Sequence, residues 1–199
     1  MTVQPSILNK NACAASTAST APTDSARPSP SLSPRALMRL EWQLENDFSL
    51  LVVGSRRVVE LLKHLNIMSG DRLLQLHTAL LEILNNAMEH GNLEIGGDLK
   101  SEIMARSFSE YFKLIEQRCL SENLGKRRIR MELVVMTGEV RIAVSDEGSG
   151  FDSAAALVES RPPAMSALSH RGLYLARHFL DELGYNDIGN RAVLVKRFD

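Results

Sequence analysis

Two runs of alternating apolar residues, separated by a three-residue turn, place the strongest constraint on the fold. Apolar and polar side chains alternate through residues 129–135 and again through 140–144, with Thr137-Gly138-Glu139 between them. Alternation with a period of two places one row of side chains on one face of a strand, and so short a turn joins antiparallel neighbours. The chain therefore contains a β-hairpin with one buried face, which needs a covering layer of helices.

Other segments predict the rest of the sheet and its helices. Leu40, Trp42 and Leu44 alternate with polar residues and predict an earlier strand. Helices are predicted at about 48–65, 72–90 and 173–183, and a second hairpin turns at Gly189-Asn190 before a final strand at 193–195. Because strands and helices come in blocks, the predicted fold class is α+β: a two-layer α/β sandwich with a mixed, mostly antiparallel sheet and helices on one face.

Residues 99–124 are predicted to form a helical insertion. Its apolar residues fall near one face, and Asn123-Leu124-Gly125 ends it. We expect this helix either to cap the core with that face or to present it to a partner, and the sequence leaves both interpretations open. The residues concerned are Ile103, Phe108, Phe112 and Ile115.

Composition divides the chain into a leader and one domain. Residues 1–35 are rich in Ser, Thr, Ala and Pro and contain five of the seven prolines, which predicts a disordered leader. Residues 36–199 are long enough to bury one core. A formal net charge of -1 gives no overall attraction for nucleic acid or a membrane surface, and the basic run Lys126-Arg127-Arg128 with Arg130 is interpreted as a solvated turn.

The cysteines and the N-terminal sequence indicate the cellular compartment of the protein. Cys13 lies in the predicted leader, so Cys13 and Cys119 imply no disulfide framework. The sequence has no signal-peptide core and no apolar run of membrane-spanning length. We therefore predict a cytoplasmic protein that recognises its partners locally.

A carboxylate and a carboxamide project from one face of an otherwise apolar helix. Glu82 and Asn86 are four residues apart within the segment 80–92, so they lie one above the other. Burying an unpaired carboxylate costs several kcal/mol or shifts its pKa. The pair therefore indicates a wet, polar cavity beside this helix.

Two glycine-containing segments follow in the chain. Asp146 comes directly after the first hairpin, and Gly148 and Gly150 allow the same loop to approach a ligand closely. Farther on, Gly172 opens a helix whose N-terminal amides could hold a phosphate. Each segment alone is a weak signal, because Asp and Gly are common turn residues.

Together, the three segments resemble the nucleotide-binding domain of the GHKL superfamily, most strongly its anti-sigma-factor serine kinase branch. The matching patterns are Glu-x-x-x-Asn-Ala with a following His-Gly, Asp-x-Gly-x-Gly-Phe after a hairpin, and Arg-Gly-Leu opening a helix that ends in Asp-Glu. They correspond to residues 82–91, 146–151 and 171–182. The resemblance extends from about residue 37 to the C-terminus and implies a Bergerat-type ATP-binding fold.

The resemblance also implies roles for individual residues and two cofactors, ATP and Mg2+. Glu82 would be the general base, Asn86 would contribute an oxygen ligand to Mg2+, and Asp146 would accept a hydrogen bond from the adenine amino group. Residues 153–169 would form a mobile lid. The predicted cofactor-binding residues are Asn86, His90, Asp146, Gly148, Gly150, Phe151, Arg171, Gly172 and Leu173.

The implied activity is that of an ATP-dependent serine kinase. It would phosphorylate an anti-sigma-factor antagonist and switch between that antagonist and a sigma factor or equivalent client. One departure favours an alternative: His170 stands where the family's second glycine box has its first glycine. The alternative is a weak or inactive ATPase-fold module that sequesters a protein partner. The sequence neither requires nor excludes a homodimer.

Overall fold

The fold is built on a six-stranded antiparallel sheet. A computed structural model describes residues 2–5, 36–151 and 171–198. The strands follow the order β1-β2-β3-β4-β6-β5, and every neighbouring pair is antiparallel. Their bounds are β1 Thr2–Pro5, β2 Ala36–Leu44, β3 Ile129–Met136, β4 Glu139–Ser145, β5 Glu182–Tyr185 and β6 Arg191–Arg197.

The helices lie between these strands in the chain. The described α-helices are α1 Phe48–His64, α2 Gly70–Asn86, α3 Gly97–Arg106, α4 Phe108–Leu120 and α5 Arg171–Phe179. Helix α2 continues directly into a π-helical turn, Ala87–Asn92. The predicted strand and both predicted hairpins are present, and the α+β fold class is confirmed.

One face of the sheet carries the core. The strand register aligns Trp42, Met131, Val144 and Ala192 across four strands, and all four side chains are buried. Helix α1 packs closely on this face, because a Cβ on Gly54 would lie 3.3 Å from a methyl group of Leu44. The same apolar cluster includes the buried residues of α2, so the two helices and the sheet share one core.

The opposite face of the sheet carries ion pairs. Arg130 pairs with Glu41 at 3.0 Å, and Glu132 pairs with Arg39 at 2.7 Å and with Arg191 at 3.2 Å. Such partly exposed pairs each contribute little to stability, about 0–1 kcal/mol. Their position shows that the sheet has one apolar face and one polar face, as the predicted sandwich requires.

The insertion is two helices rather than the single helix predicted. Ser107 is extended, with φ -163° and ψ 121°, and its side chain caps α4 by accepting a hydrogen bond from Glu110 N at 3.5 Å. Of the two interpretations left open for the apolar residues, core capping applies to only part of the set. Ile115 is buried, whereas Phe108 and Phe112 are 60% and 57% exposed.

The last helix is shorter than predicted. It ends at Phe179, and the chain then enters β5, so Glu182 and Leu183 are strand residues rather than helical ones. Pairing with β6 explains the difference, because Asp181 N donates to Val195 O and Glu182 lies opposite Val195. Tertiary pairing overrides the local helical pattern here.

Part of the predicted leader has structure. Thr2–Pro5 forms β1, which pairs with residues 40–43 of β2 at the sheet edge. The expectation of disorder is therefore wrong for these four residues. Residues 6–35 lie outside the described part of the chain, so for them it stays a prediction.

Candidate nucleotide-binding site

Helix α2 presents the predicted carboxylate and carboxamide together. Glu82 and Asn86 are half-buried on successive turns of the helix, in the last part of α2 before the π turn. Burial raises the pKa of Glu82; the nearby Lys100 opposes this shift and Glu89 adds to it. A carboxylate whose pKa is raised in this way is a better proton acceptor at neutral pH.

The start of α5 meets Glu82. A Cβ on Gly172 would collide with the Glu82 carboxylate, lying 2.9 Å from its Cδ. Glycine is therefore the residue that lets the backbone of α5 approach the carboxylate, and the structure brings two of the three motifs into contact. Leu173 is half-buried and packs against the core. His170, the predicted lid at 153–169 and the Arg171 side chain lie outside the described residues.

Asp146 lies beside the π turn that follows α2. Its carboxylate accepts a hydrogen bond from Gly148 N at 2.9 Å. A Cβ on Gly91 would lie 2.8 Å from Oδ2 of Asp146 and closer still to its other carboxylate atoms, so the loop is in contact with the turn that follows α2. Burial raises the pKa of Asp146 to about 6, although the backbone hydrogen bonds and Arg127 oppose this shift.

The remainder of the glycine loop packs against the second hairpin. Gly148 sits against the backbone of Gly91, and Phe151 N donates to Ile188 O at 3.0 Å. The half-exposed ring of Phe151 packs edge-on against Tyr185, with centroids 5.0 Å apart. Gly150 has φ 79° and lies between these contacts. The loop is thus held on both sides, with Asp146 at its start.

A polar network that the sequence analysis missed positions this loop. Asn92 is fully buried; its Oδ1 accepts from Glu147 N at 2.9 Å, and its Nδ2 donates to Asn46 Oδ1 at 2.8 Å. Asn46 in turn donates to the carbonyls of Leu124 and Arg127, both at 3.2 Å. Asn92 directly follows the His-Gly pair of the first motif, which is the signal that could have identified it.

The basic run is also structural, so its interpretation as a solvated turn is wrong for two of its residues. Arg127 donates to Asn92 O at 3.0 Å and pairs with Glu94 at 2.8 Å. Arg128 N donates to a carboxylate oxygen of Glu147 at 2.9 Å, and its guanidinium donates to carbonyls of the preceding turn. Both arginines help to hold the Asp146 loop, whereas Lys126 is exposed.

His90 lies on the π turn that follows α2. It is exposed on the π turn, and its Nδ1 contacts Ile95 O. If Nδ1 carries the proton and donates to that carbonyl, Nε2 is left as an acceptor in the neutral ring. Within the described residues, no hydrogen bond or ion pair links His90 to Glu82 or Asp146, so the structure leaves its predicted role in binding untested.

A buried charged cluster joins the insertion to α2. Glu89 is only 3% exposed and forms an ion pair with Lys100 of α3. Tyr111 of α4 is buried beside them; burial and, next, the Glu89 carboxylate raise its pKa. Because Glu89 and Lys100 also influence the pKa of Glu82, the insertion acts electrostatically on the site.

The side chains at this site suit a purine and a phosphate-bound cation. Asp146 is a partly buried carboxylate with a raised pKa, which a hydrogen-bond donor such as an exocyclic amine would stabilise in its ionised form. Among the described residues no hydrogen bond engages the Asn86 side chain, which therefore offers a neutral oxygen of the kind that Mg2+ accepts. In the same described segments, no group of three or more His, Cys, Asp or Glu side chains could hold a metal.

The comparison with protein families agrees with this geometry. The sequence model of the family described as histidine kinase-like ATPase domain matches residues 50–196. The chain belongs to the histidine kinase-like ATPase family. Membership implies that the domain binds ATP, and the matched segment contains all three motifs. The comparison with curated proteins found no match. None of the helices in the described ranges of this ATPase domain is long and apolar enough to cross a membrane.

Proposed function

We propose that the protein is an ATP-dependent serine kinase that regulates a protein partner. The observation that carries the proposal is the contact between the Glu82 carboxylate and the backbone of Gly172, with Asn86 one turn farther along α2. The candidate base Glu82, the candidate oxygen ligand Asn86 and the N-terminal end of α5 at Gly172 therefore lie close together. Family membership alone supports ATP binding; this convergence supports phosphotransfer.

Each residue has a chemical task in this proposal. Asp146 accepts a hydrogen bond from the adenine amino group, and Asn86 supplies an oxygen to Mg2+, whose other ligands are phosphates and water. Bound ATP supplies the transferable phosphoryl group. Glu82 accepts the proton of the partner's serine hydroxyl, a task that its raised pKa favours.

The partners remain those that the resemblance implies. The acceptor would be an anti-sigma-factor antagonist, and a sigma factor or equivalent client would compete for the same protein. In this proposal, docking between the two proteins provides the specificity. The second candidate, a module that sequesters its partner without phosphotransfer, rests on His170 in place of a glycine.

The test compares the unmodified protein with Glu82→Gln and with Glu116→Gln, which changes an exposed glutamate of α4 in the same way. Calorimetry measures ATP affinity with and without Mg2+. Transfer of labelled phosphate is then followed in fractionated extract of the source cells, and the acceptor residue is identified by mass spectrometry. We expect both variants to keep ATP affinity, and Glu82→Gln alone to slow transfer to serine by about 100-fold or more.

Two results would contradict the proposal. Transfer by Glu82→Gln at the unmodified rate would remove Glu82 from the chemistry. Tight ATP binding without any transfer to serine would favour the sequestering module. The Asn86→Ala variant examines the metal assignment separately, because its ATP affinity should no longer depend on Mg2+.

A further inference from the structure

A groove between α1 and α2 lies away from the nucleotide site. It has a volume of about 390 Å3 and is lined by both helices and by the residues that begin α2. Its apolar wall consists of Val59, Leu73 and Leu74, and Leu74 is 63% exposed. Leu74 extends the apolar wall of the groove outward, so apolar side chains of another molecule could pack on it together with Val59 and Leu73.

The groove has a cationic rim with no acidic residue in its lining. Arg56 and Lys63 stand two helical turns apart on α1, and both are exposed. Within the described segments no ion pair involves either side chain. The nearest acids along the two helices, Glu60 and Asp71, do not line the groove. The charged residues that line the groove are thus all positive, with Glu60 outside the lining although it lies one helical turn from both Arg56 and Lys63.

His77 closes one part of the groove as a neutral side chain. Its Nε2 lies 3.2 Å from Ser55 Oγ, and that hydroxyl donates to Val52 O at 3.0 Å. Burial and the neighbouring Arg56 lower the pKa of His77. The positive charge of the rim therefore comes from Arg56 and Lys63.

The walls of the groove also limit the shape of what binds. Apart from Ser69, which precedes α2, they are residues of α1 and α2, and no strand residue of the described chain lines the groove, so an incoming segment cannot add to the sheet there through its backbone. An amphipathic helix fits such a groove, because its apolar side chains at i, i+3, i+4 and i+7 form a ridge. Acidic residues along the edges of that ridge would face Arg56 and Lys63.

We propose that the α1/α2 groove docks an acidic amphipathic helix of a partner protein. Its leucine-like side chains pack on Val59, Leu73 and Leu74, and its carboxylates pair with Arg56 and Lys63. The groove opens beside Gly70, the first residue of α2. Asn86 is the last residue of the same helix, about 24 Å farther along the helix axis. Docking here therefore leaves the nucleotide site accessible, and the proposal stands whether or not the protein transfers phosphate.

The test uses three labelled peptides and fluorescence anisotropy on the full chain. The first is an amphipathic helix with leucines on one face and glutamates along its edges; the second has lysine for each glutamate. The third is a scrambled peptide of the first composition without an apolar face. We expect only the first to bind with an affinity that falls steeply as salt is raised.

The double variant Arg56→Glu/Lys63→Glu should weaken binding of the first peptide at least tenfold. A matched control, Lys113→Glu/Lys126→Glu, makes the same change in net charge at exposed lysines elsewhere and should leave the affinity unchanged. Leu74→Ser should also weaken binding, because it removes the apolar contact. Circular dichroism and ATP affinity, expected to be unchanged, establish that the variants are folded.

Three outcomes would overturn the proposal. Equal binding of the acidic and scrambled peptides would show that charge alone is recognised. An equal loss of affinity in the control double variant would show that the groove is not the site. Binding of phosphatidylserine vesicles through Arg56 and Lys63, with no binding of the acidic peptide, would assign the surface to a membrane.

Discussion

Asn92 Oδ1 accepts a hydrogen bond from Glu147 N at 2.9 Å, which fastens the turn after α2 to the loop that contains Asp146. The two residues are 55 positions apart in the chain, so this bond holds two of the three motifs in register. Because Asn92 is fully buried and also donates to Asn46, both ends of its carboxamide are occupied. Asn92 therefore has a structural role: its hydrogen bond to Glu147 N fixes the position of the neighbouring Asp146.

Asn92→Ala should therefore destabilise the protein more than an ordinary surface substitution. It leaves Glu147 N and Asn46 Oδ1 without their partner, and we expect a loss of about 2 kcal/mol in the free energy of unfolding. Urea denaturation measures this loss. Asn123→Ala is the matched control, since Asn123 is exposed, and should change stability by less than about 0.5 kcal/mol. Equal losses in the two variants would show that the network contributes nothing.

Gly172→Ala tests the contact between α5 and Glu82. The added methyl group meets the flexible end of the Glu82 side chain, which must move aside, so we expect a loss of less than about 1 kcal/mol in stability together with weaker ATP binding. In the Glu82→Ala background the same substitution should cost much less, because the obstructing atoms are gone. Gly184→Ala is the control, since no heavy atom lies within 4 Å of its Cβ. Additive effects of the two substitutions in thermal denaturation would refute the contact.

Asp146→Asn should change how stability depends on pH. Burial raises the pKa of Asp146 from 3.8 to about 6, so between these values the folded state holds a proton that the unfolded state has lost. Stability from this group is therefore fully present below pH 4 and declines as the pH rises to 6. After allowance for partial exposure, the decline is on the order of 1–2 kcal/mol.

The Asp146→Asn variant lacks this titration. The difference in unfolding free energy between the unmodified protein and this variant should therefore change across pH 4–6 and level off above pH 6. Urea denaturation at a series of pH values measures the difference, which cancels the contributions of the other carboxylates. A constant difference would mean that Asp146 titrates normally. ATP affinity at pH 7 should also fall, because the amide presents no negative charge to the adenine amino group.

Lys100→Met tests how much the ion pair between Lys100 and the buried Glu89 stabilises the protein. Removing the lysine leaves Glu89 buried without its partner, and we expect a loss of about 3 kcal/mol in stability. Glu89→Gln/Lys100→Met should recover most of that loss, because no uncompensated charge remains. Lys113→Met, at an exposed lysine of α4, is the control. If the double variant is no more stable than Lys100→Met, the loss comes from packing rather than from charge.

The secondary structure was predictable where the local pattern and the tertiary environment agree. The first hairpin follows directly from period-two alternation around Gly138, and the register then buries each of the apolar residues that the alternation identified. Helix α1 begins and ends close to its predicted bounds for a similar reason: Asp47 caps it, and its apolar face meets the sheet.

The failures occur where distant segments compete with local preference. Residues 182–183 continue a helical pattern, yet pairing with β6 makes them strand. Phe108 and Phe112 satisfy a helical periodicity and lie on one helix, α4, yet both rings are exposed. Periodicity identifies which residues share a face and carries no information on whether that face is covered.

The sequence by itself determined the fold class and the order of the motifs, because these depend on local periodicity and side-chain chemistry, and its resemblance to a known family implied that the motifs bind a nucleotide. Only the tertiary structure decided how the motifs meet: Gly172 against Glu82, and Asp146 held through Asn92, Asn46 and Arg127. The raised pKa of Asp146 and the groove beside Arg56 likewise depend on burial between distant segments. Contacts of this kind arise from packing across the sandwich, and no local pattern encodes them.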